Sequence, residues 1–384
     1  MTEYAQTLTL WGTPHSLYTG KVRSYLIKKG LPFREMLLSH PRFRTQIVSA
    51  VRLIVAPVLE LPDGELIQDS TDILAALERR FPDNPMFPAT PVQACVAHLL
   101  DGFGSEGLLA AAMHYRWSYR AEQEQFLRAE FGRAVRSGPD REGRLAAGAA
   151  LMDYFNGFLP LLGVTPETIP AVEAAYLDLL DALDVHFQHY PYLLGGRPSI
   201  ADFGFMAPLF AHLGRDPVPA MLMTQRAPNV YRWTERMNLV NIADGEFPDC
   251  AESSYLAGYA IQAIQATLEP VLALLFRDWG HQLLADAEHH NAWVDSHADL
   301  PAGQLVGLDG ERKVHPSLGL VVSDWRGARC SRASAPHALW LLDKALACAA
   351  ALSAPVRERF AWPGRCSVGI MCWCWPDRPV RRVR

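Results

Sequence analysis

The sequence predicts an α/β domain at the N-terminus, an all-α domain after it, and a mostly helical C-terminal extension. Residues 7–81 alternate short apolar runs with segments of helical periodicity. From Val92 to about Asn238 the pattern is helical almost throughout. Between them stand Pro82, Pro85, Pro88 and Pro91, which cannot continue a helix and make a stiff link. The expected divisions are 1–83, 92–245, 246–360 and 361–384.

Taken in order, residues 7–11 read as a short strand, and Gly12, Thr13 and Pro14 turn the chain. Val22, Leu26 and Ile27 recur at helical spacing between Tyr18 and Lys29, with Gly30 as the C-cap. Residues 32–37 suit a second strand, and Pro41 to Val51 a weaker helix. Val55 to Leu61 is apolar and contains Pro57. Asp63-Gly64 is a hairpin turn from which Glu65 to Gln68 returns. Asp69, Ser70 and Thr71 offer caps to a helix from Asp72 to Phe81. The order is β-α-β-α-β-β-α, with a parallel βαβ unit and an antiparallel hairpin, which is a thioredoxin-like arrangement.

In the second domain, breaks fall near Ser137-Gly138-Pro139, between Gly163 and Pro170, and between Tyr190 and Pro198. In the extension, Tyr255 to Ala287 and Ala335 to Leu352 read as helix, and Gly319 to Trp325 as a short strand. Residues 361–384 hold three Trp, three Cys and five Arg without periodicity. They read as a disordered tail, and their composition also fits an out-of-frame or non-native stretch.

Composition excludes several functions. The 384 residues are 49% hydrophobic and 20% charged, with a net charge of −5. That gives no electrostatic case for nucleic acid or an anionic membrane. No apolar run reaches the roughly 18 residues of a span. The opening Met-Thr-Glu-Tyr-Ala-Gln lacks the basic and apolar parts of a signal peptide. The expectation is a soluble cytoplasmic protein. Seven cysteines form no CxxC pair with metal spacing, and the spacing of Cys366, Cys372 and Cys374 is not a standard zinc site.

Chemistry at a thiol has three needs, and the N-terminal domain has a candidate for each. The thiol must become a thiolate although its ordinary pKa is about 8.5. Ser16 lies between the first strand and the first helix, where a hydroxyl donating to sulfur at a helix N-terminus favours the thiolate. A serine there also serves simply as an N-cap. The thiol peptide must be held along its backbone. Ala56-Pro57 precedes a strand, and a cis proline would leave the Ala56 N–H and C=O free to pair with an extended peptide. Charged ends must be paired. Asp69 suits an α-amino group, and Ser70 at a helix start suits a carboxylate.

On these residues, segment 7–81 resembles the N-terminal domain of cytosolic glutathione S-transferases. Lys21-Val22-Arg23 matches the family's basic-Val-Arg in its first helix. Five residues before Lys21 stands Ser16, where serine-type classes such as zeta and tau keep their catalytic serine. Ala56-Pro57 falls at the family's cis-proline, and Asp69-Ser70 at the acidic-Ser pair that grips the γ-glutamyl end. Independently, Tyr192 to Phe203 resembles the Leu-x-Gly and Ser-x-Ala-Asp of the family's helical domain, with Ser199 and Asp202 as a capping box. The resemblance implies glutathione as co-substrate, a hydrophobic electrophilic partner, a detoxification role, and a homodimer.

The sequence departs from that pattern where Arg52-Leu53-Ile54-Val55 replaces a polar loop, which puts the glycyl-carboxylate contact in doubt and leaves Arg52 as a candidate for it. Thr13, Tyr18 and Thr19 are further hydroxyls near Ser16. Met113, His114, Tyr115 and Trp117 lie where the family lines its electrophile pocket, although such a cluster is more often core. His289 and His290 read as solvated. Disulfide reduction would need a cysteine at Ser16, and residues 1–94 hold none. The expected function is therefore glutathione transfer, and the alternative is a non-catalytic binding or scaffold protein.

Overall fold

The computed structural model describes residues 7–51, 54–240, 245–248, 264–297, 299 and 317–352. The first domain comprises β1 (Leu8–Gly12), α1 (Leu17–Lys29), β2 (Phe33–Leu37), a π-turn at Phe43–Ile47 running into α2 (Val48–Val51), β3 (Val58–Glu60), β4 (Leu66–Gln68) and α3 (Ser70–Arg80). The sheet order is β2-β1-β3-β4. Leu8 pairs with Phe33 in the parallel pair, and Trp11 with Val58 in the antiparallel one. Gly30 ends α1 at φ 69°, a left-handed cap that glycine adopts without strain.

The helical domain comprises α4 (Pro91–Gly102), a π-turn at Phe103–Gly107, α5 (Leu109–Trp117), α6 (Arg120–Val135), α7 (Arg141–Asn156), α8 (Ile169–His189), α9 (Ile200–Ala211), α10 (Pro217–Arg226) and α11 (Pro228–Arg236). Ser199 and Asp202 form the expected capping box at α9. Asp202 accepts from Ser199 N at 2.9 Å, Leu193 N at 3.0 Å and Trp233 Nε1 at 3.2 Å. Glycines bring α9 against α4 at backbone contact: a Cβ on Gly204 would lie 2.6 Å from Asp101 Cα.

One expectation is corrected here. Arg141–Leu162 is long and apolar enough to cross a membrane by length and composition. It packs against α6, where a Cβ on Gly148 would lie 2.7 Å from the Arg128 carbonyl oxygen.

Within the extension lie a 3-10 turn at Ala266–Leu268, α12 (Glu269–Leu275), a π-turn at Phe276–Gly280, α13 (His281–Ser296), β5 (Leu320–Trp325), β6 (Ala328–Ala333) and α14 (Pro336–Ala350). The strand expected at Gly319–Trp325 is half of a hairpin whose second strand the sequence did not announce. Leu272, Trp279, Leu339 and Leu342 join the same hydrophobic core as Leu10, Leu100 and Trp233. His290 is buried, and His289 meets the Leu318 carbonyl at 2.8 Å, so the expectation of two solvated histidines is wrong. They lie on the helix that packs against β5.

Candidate active site

The turn before α1 is held from below by the helical domain. Arg116 is buried and forms a two-pronged ion pair with Asp216, at 2.6 and 2.8 Å. It also donates to the His15 carbonyl at 3.0 Å and the Ala211 carbonyl at 2.9 Å. His212 Nδ1 faces the Ala112 carbonyl at 3.1 Å, so its Nε2 is the acceptor for Arg116. Burial, then the Arg116 charge, push the His212 pKa well down, which keeps that ring neutral. The His15 ring lies 4.3 Å from Phe131. The backbone next to Ser16 is thus fixed by groups from another domain.

Ser16 is the N-cap of α1, accepting from Thr19 N at 3.4 Å. Among the described residues its hydroxyl proton has no acceptor within reach, and the side chain is half-buried. The cap uses a lone pair, whereas a thiolate would use the proton, so the two roles are compatible. The neighbouring hydroxyls are placed differently. Thr19 is fully buried beneath Gly12. Thr13 is buried beside His15. Tyr18 donates to Glu106 at 2.9 Å and to the Ser105 carbonyl at 3.2 Å.

The Ala56–Pro57 peptide is cis, and among the described residues neither the Ala56 amide nor its carbonyl has a protein partner. Asp69 caps α3, with Oδ1 accepting from Thr71 N at 2.7 Å and Asp72 N at 3.3 Å. Its own φ is 75°, unusual for a non-glycine residue, and those two bonds hold it there. Ser70 is buried, and its hydroxyl has no protein partner among the described residues. Arg52 lies outside the described residues, as do Cys366, Cys372 and Cys374.

Beneath this edge sits a buried cation. Lys21 Nζ pairs with Asp101 at 2.6 Å and donates to Thr71 Oγ1 at 3.1 Å and Ser105 Oγ at 3.2 Å. Arg23 is committed to Glu35, at 2.5 and 2.7 Å. Met113, His114, Tyr115 and Trp117 are all buried, as core residues are. A cleft of about 400 Å³ opens beside Pro14, lined also by Arg23, Glu35, Phe210 and Arg215. Its walls combine apolar surface from Pro14, Leu37 and Phe210 with the charged groups of Arg23, Glu35 and Arg215.

Two residues that the sequence did not single out stand beside Asp69, His337 in direct contact and Glu106 through His337. His337, near the start of α14, places Nε2 3.1 Å from Asp69 Oδ2 and Nδ1 2.8 Å from Glu106 Oε1. Burial alone would lower the His337 pKa, but its bonds to the two carboxylates push it up to about 10. Asp69 is held at about 2, since the His337 bond and charge outweigh burial. Glu106 sits between two glycines in a helical π-turn, the one local signal that could have drawn notice. Nothing local marks His337.

Two family models match the chain: Glutathione S-transferase, N-terminal domain, over residues 10–85, and Glutathione S-transferase, C-terminal domain, over residues 166–236. No curated protein matches it. Among solved structures it is similar to a glutathione S-transferase from Methylobacterium radiotolerans in complex with glutathione sulfonate, at 23% identity over 67% of this chain and 98% of that one, TM-score 0.35. It is similar to the beta-etherase LigF from Sphingobium sp. strain SYK-6, at 18% identity over 63% and 98%, TM-score 0.38. It is also similar to FzlA from C. crescentus, at 18% identity over 70% and 92%, TM-score 0.38.

Proposed function

Since the chain belongs to the glutathione S-transferase superfamily, we propose that it binds glutathione and activates the thiol for attack on an electrophilic small molecule. The observation that carries this reading is Ser16, a hydroxyl with a free proton at the N-terminus of α1. Donation to sulfur and the positive helix end both favour the thiolate over the thiol. Ala56 offers to the cysteinyl backbone an N–H and C=O that have no partner among the described residues. The Ser70 hydroxyl and the start of α3 suit the γ-glutamyl carboxylate. Conjugation, ether cleavage and dehalogenation all use this same activated sulfur, and the electrophile selects among them.

The test is calorimetric binding of glutathione to the wild type and Ser16→Ala, with thiolate absorbance followed against pH. Binding with a depressed thiol pKa that returns towards its free value in the variant supports the reading. Absence of binding refutes it. A homodimeric, cytoplasmic enzyme is the setting we propose. Light scattering checks the first attribute, and fractionation of the source cells the second.

One observation favours a second reading, a non-catalytic binding protein: Asp69 already holds His337. Glutathione binding without turnover of any aryl halide, epoxide, enone or ether would support it.

A further inference from the structure

Asp69 has little acceptor capacity left for a ligand. Oδ1 caps α3 through two amides, and Oδ2 faces His337. Both ring nitrogens of His337 meet carboxylate oxygens, at 3.1 and 2.8 Å. A neutral imidazole has one donor and could satisfy only one of them, so the ring is an imidazolium. Glu106 Oε1 in turn accepts from Tyr18. The arrangement is a cation clasped by two acids, with Tyr18 completing the shell.

His337 is not carried there loosely. It lies on the first turn of α14, whose Ala338, Leu339, Leu341, Leu342, Ala345 and Ala349 are buried. That helix packs against α4. It lies beyond both segments that match the family models, so the cation is an addition by the extension. An ammonium group approaching Asp69 would share Oδ2 with a like charge one hydrogen bond away.

Resting on the glutathione reading, we propose that His337 substitutes for the ligand's α-ammonium group: the extension supplies this cation in cis. The site then recognises its thiol peptide through Ser16, Ala56 and Ser70, and gains little from a free α-amino group. Its ligand class is γ-glutamyl-type thiol peptides, including those in which that amine is absent or acylated.

The experiment compares glutathione with its deaminated analogue, glutaryl-cysteinylglycine, by calorimetry on the full chain. The wild type should bind the two within about threefold of each other. His337→Ala uncovers Asp69 and should prefer glutathione by tenfold or more, which is about 1.4 kcal/mol. His337→Gln keeps a donor without the charge and should shift the ratio in the same direction. A wild-type preference for glutathione above tenfold overturns the proposal, as does a ratio unchanged in both variants. In those cases glutathione still binds and the transferase reading stands. If neither peptide binds any of the three proteins, both fall together.

Discussion

Replacing Arg116 by Met tests whether the helical domain fixes the turn that carries Ser16. Methionine keeps an apolar stem over Phe131, whose ring centre lies 5.7 Å from the guanidinium carbon. The change strips the buried Asp216 of its partner and leaves the His15 and Ala211 carbonyls without their Arg116 donor. Breaking a buried ion pair by removing one member costs about 3–5 kcal/mol. Each orphaned buried carbonyl adds about 1–3 kcal/mol, although water and protonation of Asp216 recover part of this. The expected loss is therefore at least about 4 kcal/mol, a large part of the roughly 5–15 kcal/mol that stabilises a typical protein. Urea unfolding followed by tryptophan fluorescence measures it.

Two controls sharpen that test. Burial already raises the Asp216 pKa, despite the Arg116 charge that lowers it. Without Arg116 it rises further. A carboxyl with a raised folded pKa favours the fold below its unfolded value of about 3.9 and loses that support as pH climbs through the folded value. The deficit should thus shrink as pH falls from about 7 towards 4. The double variant Arg116→Met/Asp216→Leu removes both charges and should recover much of the loss. A single-variant loss below about 1 kcal/mol, or a double variant no better than the single, refutes the reasoning.

Three further outcomes can be measured. Ser16→Ala removes a hydrogen bond to a thiolate worth about 1.5–3 kcal/mol, so kcat/KM should fall about ten- to 150-fold with the fold intact; a change under about threefold would exclude Ser16 from catalysis. Gly204→Ala forces a methyl against the Asp101 backbone, with a 2.6 Å approach to Cα, and should cost about 1–3 kcal/mol in urea unfolding. Burial outweighs four hydrogen bonds to lift the Asp202 pKa to about 6, so its support for the fold is complete below its unfolded value and fades as pH rises through about 6. Wild-type stability relative to Asp202→Asn should therefore grow by roughly 1 kcal/mol per unit as pH falls from about 6 to 4, and a flat difference would contradict the assignment.

The first domain was legible because its signals are local. Ser16, Pro57 and Ser70 each sit at an end of a strand or helix, where residue type and position coincide. Arg116, Glu106 and His337 were not legible, because tertiary packing alone gives them their partners. His337 and Asp69 are 268 positions apart. β6 was missed for a different reason. Its hairpin turns at Arg326 and Gly327, with φ of 53° and 83°. A turn of that hand is normally announced by Asn-Gly or Asp-Gly. Here arginine takes the unfavourable position, and its guanidinium is held by Asp278 at 2.6 Å and Asp178 at 3.1 Å. Tertiary contacts stabilise a turn that local chemistry does not specify.

Lys21 bears on how the protein comes apart. Its ammonium group is fully buried, and its partners lie on α3, on α4 and in the π-turn that follows α4. Separating the two domains would break the Lys21–Asp101 pair and expose the apolar core in which Leu10 and Leu100 are both buried. That shared core disfavours half-open states and couples the two domains in unfolding. Ser16 lies five residues upstream on the same helix, so its position is as durable as the whole fold.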